Sequence, residues 1–297
     1  MTNAVLKTTL TGLLIMAATA AHAARDIDEQ HPADARASVD INSVSGTMNV
    51  IGWDKPAVEV TGTVGNDIER VDVTGDNGHI SVQVVSRSSR MWNSDSTAHL
   101  TVHVPSGAAV STTLVSADFK VSGLNGDLDL HTVSGDVRGE TGGNLRVNTV
   151  SGNVEINAKE AKSLAARSVS GDIEISGGSG EADVTTISGT LKVKLGTQNH
   201  VHLKSVSGDI TASLGLANDA QLEGEAVSGD ITLKISGNAS ADYDVETHSG
   251  SISNCFGPKP VEPRYGPGSK LVFKNGDSSA RVHVLTHSGD VRVCTQS

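Results

Sequence analysis

The sequence predicts an all-β protein, a single-stranded β-solenoid with capped ends, in which each repeat forms one coil of a rod. The tetrapeptide Ser-Gly-Asp-Val and its close variants recur with successive glycines 17 to 21 residues apart. Between them, β-branched apolar residues alternate with polar ones, which is typical of half-buried strands. A repeat near 20 residues that is made of strands indicates a solenoid, because one such unit cannot bury its apolar face alone.

The repeat glycines are predicted to mark the bends, since glycine accepts positive φ and lets neighbouring coils approach closely. Additional glycines about nine residues away, such as Gly126 and Gly143, predict two short strands in each coil. No aromatic residue occurs between Phe119 and Tyr243, as expected for a narrow aliphatic interior. The glycines assigned to structural turns are Gly135, Gly152, Gly171, Gly189, Gly208, Gly229, Gly250 and Gly289.

Residues 1–23 are expected to form a signal peptide. Lys7 precedes an apolar run at residues 10–21, and Ala-His-Ala at residues 21–23 fits a cleavage site. No later segment is apolar enough to suggest a membrane span. The mature chain is therefore predicted to be exported, either to the periplasm or to the cell surface and medium.

The rest of the chain divides into three parts. Residues 24–116 contain one isolated copy of the motif at Ser45 and are expected to form wider first coils or an antiparallel cap. Residues 117–254 carry the regular repeats. Residues 255–297 are expected to form a capping loop with four prolines, in which Phe256 and Tyr265 cover the last coil, followed by the last strands.

The two cysteines, Cys255 and Cys294, are predicted to form a disulfide, because an exported chain meets oxidising conditions. On the chain-entropy model this bridge contributes roughly 4 kcal/mol to stability. A catalytic or metal-binding thiol pair is the alternative, and it is disfavoured because the two residues lack a Cys-x-x-Cys spacing.

The net charge of the chain limits the classes of molecule that it is expected to bind. The formal charge is −11, and loss of residues 1–23 removes one lysine and no acid, giving −12. An acidic surface argues against nucleic acid and anionic lipid as partners. It is also what keeps a strand-rich protein soluble.

The spacing of the candidate ligands argues against calcium and transition-metal sites. The residue after each repeat glycine is acidic in several copies, among them Asp136 and Asp172, but Asn153 and Thr190 interrupt the series. Acid and neutral residues alternate over the first five copies, which favours relief of charge repulsion over calcium binding. Two histidine pairs, His200 with His202 and His248 with His287, lack an identifiable third ligand. We therefore predict no metal and no cofactor.

An enzyme that cleaves polysaccharides is the rival from another functional class. Asp127 and Asp129 share a strand face, as a catalytic carboxylate pair would. However, the central coils have no aromatic platform and no long inserted loop in which such sites are usually built. Trp53 and Trp92 are candidates for binding anchors, and capping of the rod end is the favoured interpretation for both.

The signal peptide, the Val-Pro-Ser-Gly turn at residues 104–107 and the train of Thr-Val-Ser-Gly-Asp-Val repeats resemble a bacterial family of β-strand-repeat proteins known by the name "putative adhesin", a domain of unknown function. The resemblance covers residues 36–297 and implies a right-handed parallel β-helix at the cell envelope. We expect a non-enzymatic, adhesin-like or scaffold protein that presents a rigid repetitive surface to an unidentified envelope polymer or protein. A glycan-active enzyme and a self-assembling fibre are the alternatives.

Overall fold

The computed structural model describes residues 25–87, 97–237, 239–261 and 268–296. These residues form strands, turns and irregular segments and include no helix, so the predicted all-β class is confirmed. Accordingly, within the described ranges no helix has the length and apolar character needed to cross a membrane. The predicted signal peptide, Trp92 and Tyr265 lie outside the described residues.

Strands occupy most of the described chain. The N-terminal part contains β1 (Arg25–Pro32), β2 (Ser38–Trp53), β3 (Ala57–Val64), β4 (Ile68–Asp76), β5 (His79–Ser86) and β6 (Ala98–Pro105). The middle part contains β7 (Ala109–Leu124), β8 (Leu128–Ser134), β9 (Val137–Thr141), β10 (Leu145–Ser151), β11 (Val154–Ala158), β12 (Ser163–Ser170), β13 (Ile173–Gly177), β14 (Gly180–Ser188), β15 (Leu191–Ser207), β16 (Ile210–Ser228) and β17 (Ile231–Ser236). The C-terminal part contains β18 (Ala241–Ser249), β19 (Ile252–Asn254), β20 (Ser269–Asn275), β21 (Arg281–Ser288) and β22 (Val291–Gln296).

Each coil contributes one strand to each of two parallel ladders. In the first ladder the strands end at the repeat serine, as β8, β10 and β12 do. In the second ladder the strands begin two residues after the repeat glycine, as β9, β11 and β13 do. Consecutive coils stack in register, which agrees with the predicted solenoid; its right-handed coiling stays a prediction. In spatial order the serines in register are Ser45, Ser116, Ser134, Ser151, Ser170, Ser188, Ser207, Ser228, Ser288 and Ser249.

The core lies between the two ladders and is aliphatic along most of the rod. In β10, for example, Leu145 and Val147 are buried while Arg146 is exposed. This alternation follows from the pleat, which points successive side chains to opposite faces of a strand. Phe119 and Tyr243 are the largest fully buried side chains, and they lie towards opposite ends of the stack.

The coils do not follow sequence order at the C-terminal end. Strand β21 pairs with β16 on one side and with β18 on the other, and β22 lies between β17 and β19 in the same way. The last strands, predicted to follow the regular coils, are instead inserted between the coil of β16–β17 and the coil of β18–β19. The disulfide between Cys255 and Cys294, whose Cα atoms are 4.8 Å apart, joins the inserted coil to its outer neighbour.

The outer end of the first ladder is covered by an antiparallel strand and an aromatic cluster. Strand β20 pairs antiparallel with β18. The ring of Phe273 stacks on Tyr243 at 4.7 Å between centroids, and Phe256 meets Tyr243 edge-on at 5.5 Å. The Tyr243 hydroxyl donates a 2.7 Å hydrogen bond to the carbonyl oxygen of Ala239, and burial raises the pKa of this phenol.

A similar reordering occurs at the N-terminal end. Strand β2 pairs in parallel with β7 on one side and with β5 and β6 on the other. Strands β4 and β3 then cover β5 and β6 in antiparallel fashion, and β1 pairs with β3. The N-terminal region therefore contains both of the arrangements that the sequence left open, a first set of coils and an antiparallel outer layer.

Candidate functional site

Where the residue after the repeat glycine is Asp or Asn, its side chain connects neighbouring coils. The amide of Asn153 donates to Oδ1 of Asp136 at 3.0 Å, and the amide of Asp172 donates to Oδ1 of Asn153 at 3.1 Å. The same bond links Ser251 to Asp290, whose Oδ1 also accepts the Ser251 hydroxyl. These bonds lower the pKa of Asp136, with a further contribution from Arg138, and that of Asp290. Asp and Asn can both act here because both supply an acceptor oxygen.

This geometry explains the repeated acids without an ion. One oxygen of each bonded carboxylate is occupied by a backbone amide, and the described residues contain no cluster of three or more His, Cys, Asp or Glu that could hold a metal ion. Acid and neutral residues alternate on successive rungs over the first five copies, as in the sequence, whereas the inserted coil places Asp290 beside Asp230 and so makes three successive acidic rungs with Asp209.

A row of buried hydroxyl groups lies just before the bend. The Thr149 hydroxyl donates to the carbonyl oxygen of Ser151 at 3.3 Å, and that of Thr286 donates to the carbonyl oxygen of Gly229 at 3.1 Å. In these rungs the threonine hydroxyl therefore supplies a further donor to a carbonyl group at the bend. The threonine side chain points inward, and the next residue points outward.

The residue that points outward just before the repeat serine is aliphatic in eight rungs. The sequence analysis did not predict the exposed apolar row that these residues form. These side chains, here called the aliphatic row, are between 41% and 50% exposed and follow one another along the edge of the rod. At a rung spacing of about 4.8 Å the row is on the order of 35 Å long. The signal was present, since alternation from buried Leu130 and Thr132 places Val133 outside. Its members are Val44, Val115, Val133, Val150, Val169, Ile187, Val206 and Val227.

The outer face of the first ladder carries a shallow, charged depression of about 670 Å³. Arg167 binds Asp183 at 2.7 Å, and Lys204 pairs with Glu225. These contacts lie along adjacent rungs, so opposite charges neutralise one another across the ladder. The lining includes Arg146, Arg167, Glu181, Asp183, His200, His202, Glu223, Arg281 and His283.

The two histidine pairs have different surroundings. His200 and His202 share the outer face as predicted, but each faces a carboxylate, Glu181 at 3.9 Å and Glu223 at 3.3 Å. His248 and His287 lie on adjacent rungs with ring centroids 5.2 Å apart. In these two rungs histidine stands at the place where the other eight rungs have valine or isoleucine.

The remaining candidates have structural contacts. Asp127 Oδ1 accepts the amide of Asn144 at 3.0 Å, whereas Asp129 lies 3.2 Å from His131. The two carboxylates thus have separate partners. The Trp53 indole donates to the Ala57 carbonyl oxygen at 2.8 Å and stacks on His103 at 4.8 Å, with Lys55 over its ring. This packing holds Trp53 among the N-terminal strands, and its role as a cap stays a prediction.

Comparison with known proteins gives a family match and several solved structures. The model of a family described as Toastrack DUF4097 matches residues 38–294. A "putative adhesin" from Bacteroides fragilis is 15% identical, with 91% of this chain and 97% of that chain covered and a TM-score of 0.46. A "putative lipid binding protein" from Parabacteroides distasonis is 16% identical, with 90% and 96% covered and a TM-score of 0.45. A "putative cell adhesion protein" from Clostridium sporogenes is 11% identical, with 92% and 100% covered and a TM-score of 0.30. No curated protein matches the chain.

Proposed function

The chain belongs to the Toastrack DUF4097 family, and we propose that it is a non-enzymatic envelope protein that binds a polymer or protein partner along one edge of a rigid β-solenoid. The aliphatic row is the observation that supports this proposal. Its eight members make up most of the large apolar side chains that the described residues leave exposed. Scattered exposed apolar residues are ordinary, whereas a contiguous apolar strip is a feature of interaction sites.

The neighbouring residues indicate the chemistry of the partner. Three positions after six of the eight row residues stands an Asp or Asn, as in Val133 and Asp136 or Val169 and Asp172, whereas threonine follows Val44 and Ile187. An apolar strip therefore runs beside a line of negative charge. A partner with apolar groups beside positive charge would match both, and charge complementarity would favour correct alignment.

The fold supplies rigidity to this edge. Each rung is fixed by parallel pairing in both ladders, and the Asp and Asn side chains add bonds between coils at the bend itself. A surface held this way loses little conformational freedom on binding, so many weak contacts can add up. Export to the periplasm or cell surface is part of the proposal, and the disulfide between Cys255 and Cys294 supports it.

Co-sedimentation of the purified mature protein with envelope fractions tests this function. The fractions are peptidoglycan, outer-membrane vesicles and surface polysaccharide, with and without a calcium chelator. We expect saturable retention on one fraction. Replacing Val150, Val169 and Ile187 together by threonine keeps β-branching and should weaken retention about tenfold, on the order of 1.4 kcal/mol.

The matched control is Val272→Thr, which changes an exposed valine of β20 outside the row. This variant should be retained like the wild type. Because salt screens exposed charges, retention should also fall as salt rises. Equal retention of the triple variant and the wild type would refute binding through the row, and no retention on any fraction would refute the envelope-binding function.

A further inference from the structure

We propose that His248 and His287 form a binding site for one divalent transition-metal ion, with copper(II) preferred. The proposal is independent of partner binding along the aliphatic row. The two residues are 39 positions apart in sequence, and the inserted coil brings them onto adjacent rungs. Thr247 pairs with Thr286 and Ser249 with Ser288, so both imidazoles leave the backbone at the same place and in the same direction.

The distance between the rings suits a shared ion. Each nitrogen ligand of such an ion lies 2.0–2.1 Å from it, which places two coordinating nitrogens about 3–3.5 Å apart. The ring centroids are 5.2 Å apart and the rings are inclined by 34°. A small rotation of the side chains brings one nitrogen of each ring to that spacing, and water completes the coordination.

Their electrostatic surroundings distinguish these histidines from others in the chain. Six others face a carboxylate oxygen within 4.0 Å: His79, His103, His131, His200, His202 and His283. Within the described residues, no hydrogen bond or ion pair engages the rings of His248 and His287, so their nitrogens are open to a ligand. Neutral imidazole nitrogen is a preferred ligand of Cu²⁺, Ni²⁺ and Zn²⁺.

The place of His248 and His287 in the stack of coils also points to a ligand. Eight other rungs place valine or isoleucine here, and only the inserted coil and the last coil of the described stack place histidine. An ion held between the two side chains would join the two coils. Both cysteines are in the disulfide, so no thiol competes for the metal. Affinity should follow the order Cu²⁺ above Ni²⁺ and Zn²⁺.

Calorimetric titration of the full mature chain, without an affinity tag, with Cu²⁺, Ni²⁺ and Zn²⁺ tests the site. We expect one ion per chain and an electron paramagnetic resonance spectrum of the copper complex with two imidazole nitrogens. His248→Asn or His287→Asn should each weaken copper binding about tenfold or more. The paired change His248→Val with His287→Val restores the residue type of the other rungs, so it should fold and bind no copper at this site.

The control combines His200→Asn with His202→Asn and should bind copper like the wild type. Thermal unfolding gives a second readout, because an ion bound only to the folded chain raises the unfolding midpoint. The midpoint should rise with copper in the wild type and stay fixed in the valine pair. Copper binding that survives both single changes, a spectrum with one imidazole, or the absence of saturable binding would each overturn the proposal.

Discussion

The backbone amide of Asp290 donates a 2.8 Å hydrogen bond to Oδ1 of Asp230, although the two residues are 60 positions apart. The bond is equivalent to those between consecutive coils elsewhere, such as the 2.9 Å bond from the amide of Asp230 to Asp209. The last strands of the chain are therefore full members of the stack. Because of this insertion, His287 and His248 stand on the two rungs that follow Val227, at the same place as the residues of the aliphatic row.

The Asp230 side chain should stabilise the fold chiefly as a hydrogen-bond acceptor. Asp230→Ala leaves the Asp290 amide without its partner and should lower the free energy of unfolding by about 1 kcal/mol. Asp230→Asn keeps the acceptor, as Asn153 does naturally, and should cost much less. Urea unfolding of both variants checks this, and equal destabilisation by the two changes would contradict it.

The acid sensitivity of the fold should depend in part on Asp136. The Asn153 amide, followed by Arg138, lowers the pKa of this carboxyl. A lowered pKa stabilises the folded chain above the unfolded value of about 3.9, and this contribution is lost as pH falls through the folded pKa. The asparagine side chain of the Asp136→Asn variant does not titrate in this pH range. The stability advantage of wild type over Asp136→Asn should therefore shrink between about pH 5 and pH 2, and an advantage that stays constant in urea unfolding over this range would rule out the linkage.

The bend glycine Gly171 should tolerate no side chain, whereas the strand glycine Gly224 should. Gly171 has φ +129°, and a Cβ there would overlap the carbonyl oxygen of Gly152. Gly171→Ala should therefore cost more than about 2 kcal/mol. Gly224 lies within β16, and its Cβ would stand 3.9 Å from Val284, an ordinary contact. Gly224→Ala is the control and should be near neutral in the same denaturant assay; comparable losses in both variants would contradict the close stacking of coils at the bend.

Loss of the disulfide should loosen the outermost coil first. Replacing Cys255 and Cys294 by alanine removes a link that closes 39 residues and should cost up to about 4 kcal/mol. Amide hydrogen exchange should accelerate most in β18, β19 and β20, which lie outside the inserted coil. Reductant should reproduce the effect in the wild type and leave the alanine variant unchanged. Uniform acceleration along the whole rod would contradict a local role.

Sequence patterns predicted the coils because alternation and bend glycines are local properties of the chain. The order of the coils is not local. Ser228, Ser249 and Ser288 begin almost identical turns, so any of them can stack on any other with the same hydrogen bonds. The rung at Ser116 was missed for the opposite reason, since Ala117 replaces the glycine while the register with Ser134 is kept. The sequence shows that His248 and His287 occupy equivalent positions in two copies of the repeat, but the proximity of the two rings depends on the insertion.

The spatial order of the last three coils is the central claim, and disulfide trapping tests it directly. One variant carries cysteine in place of Ser228 and Ser288, and the other carries cysteine in place of Ser228 and Ser249. Adjacent rungs lie about 4.8 Å apart, within the Cα range of a disulfide, whereas two rungs span about 9.6 Å and exceed it. Under mild oxidation, peptide mapping should find the 228–288 bridge and no 228–249 bridge. A 228–249 bridge with no 228–288 bridge would show that the coils follow sequence order and would contradict the insertion.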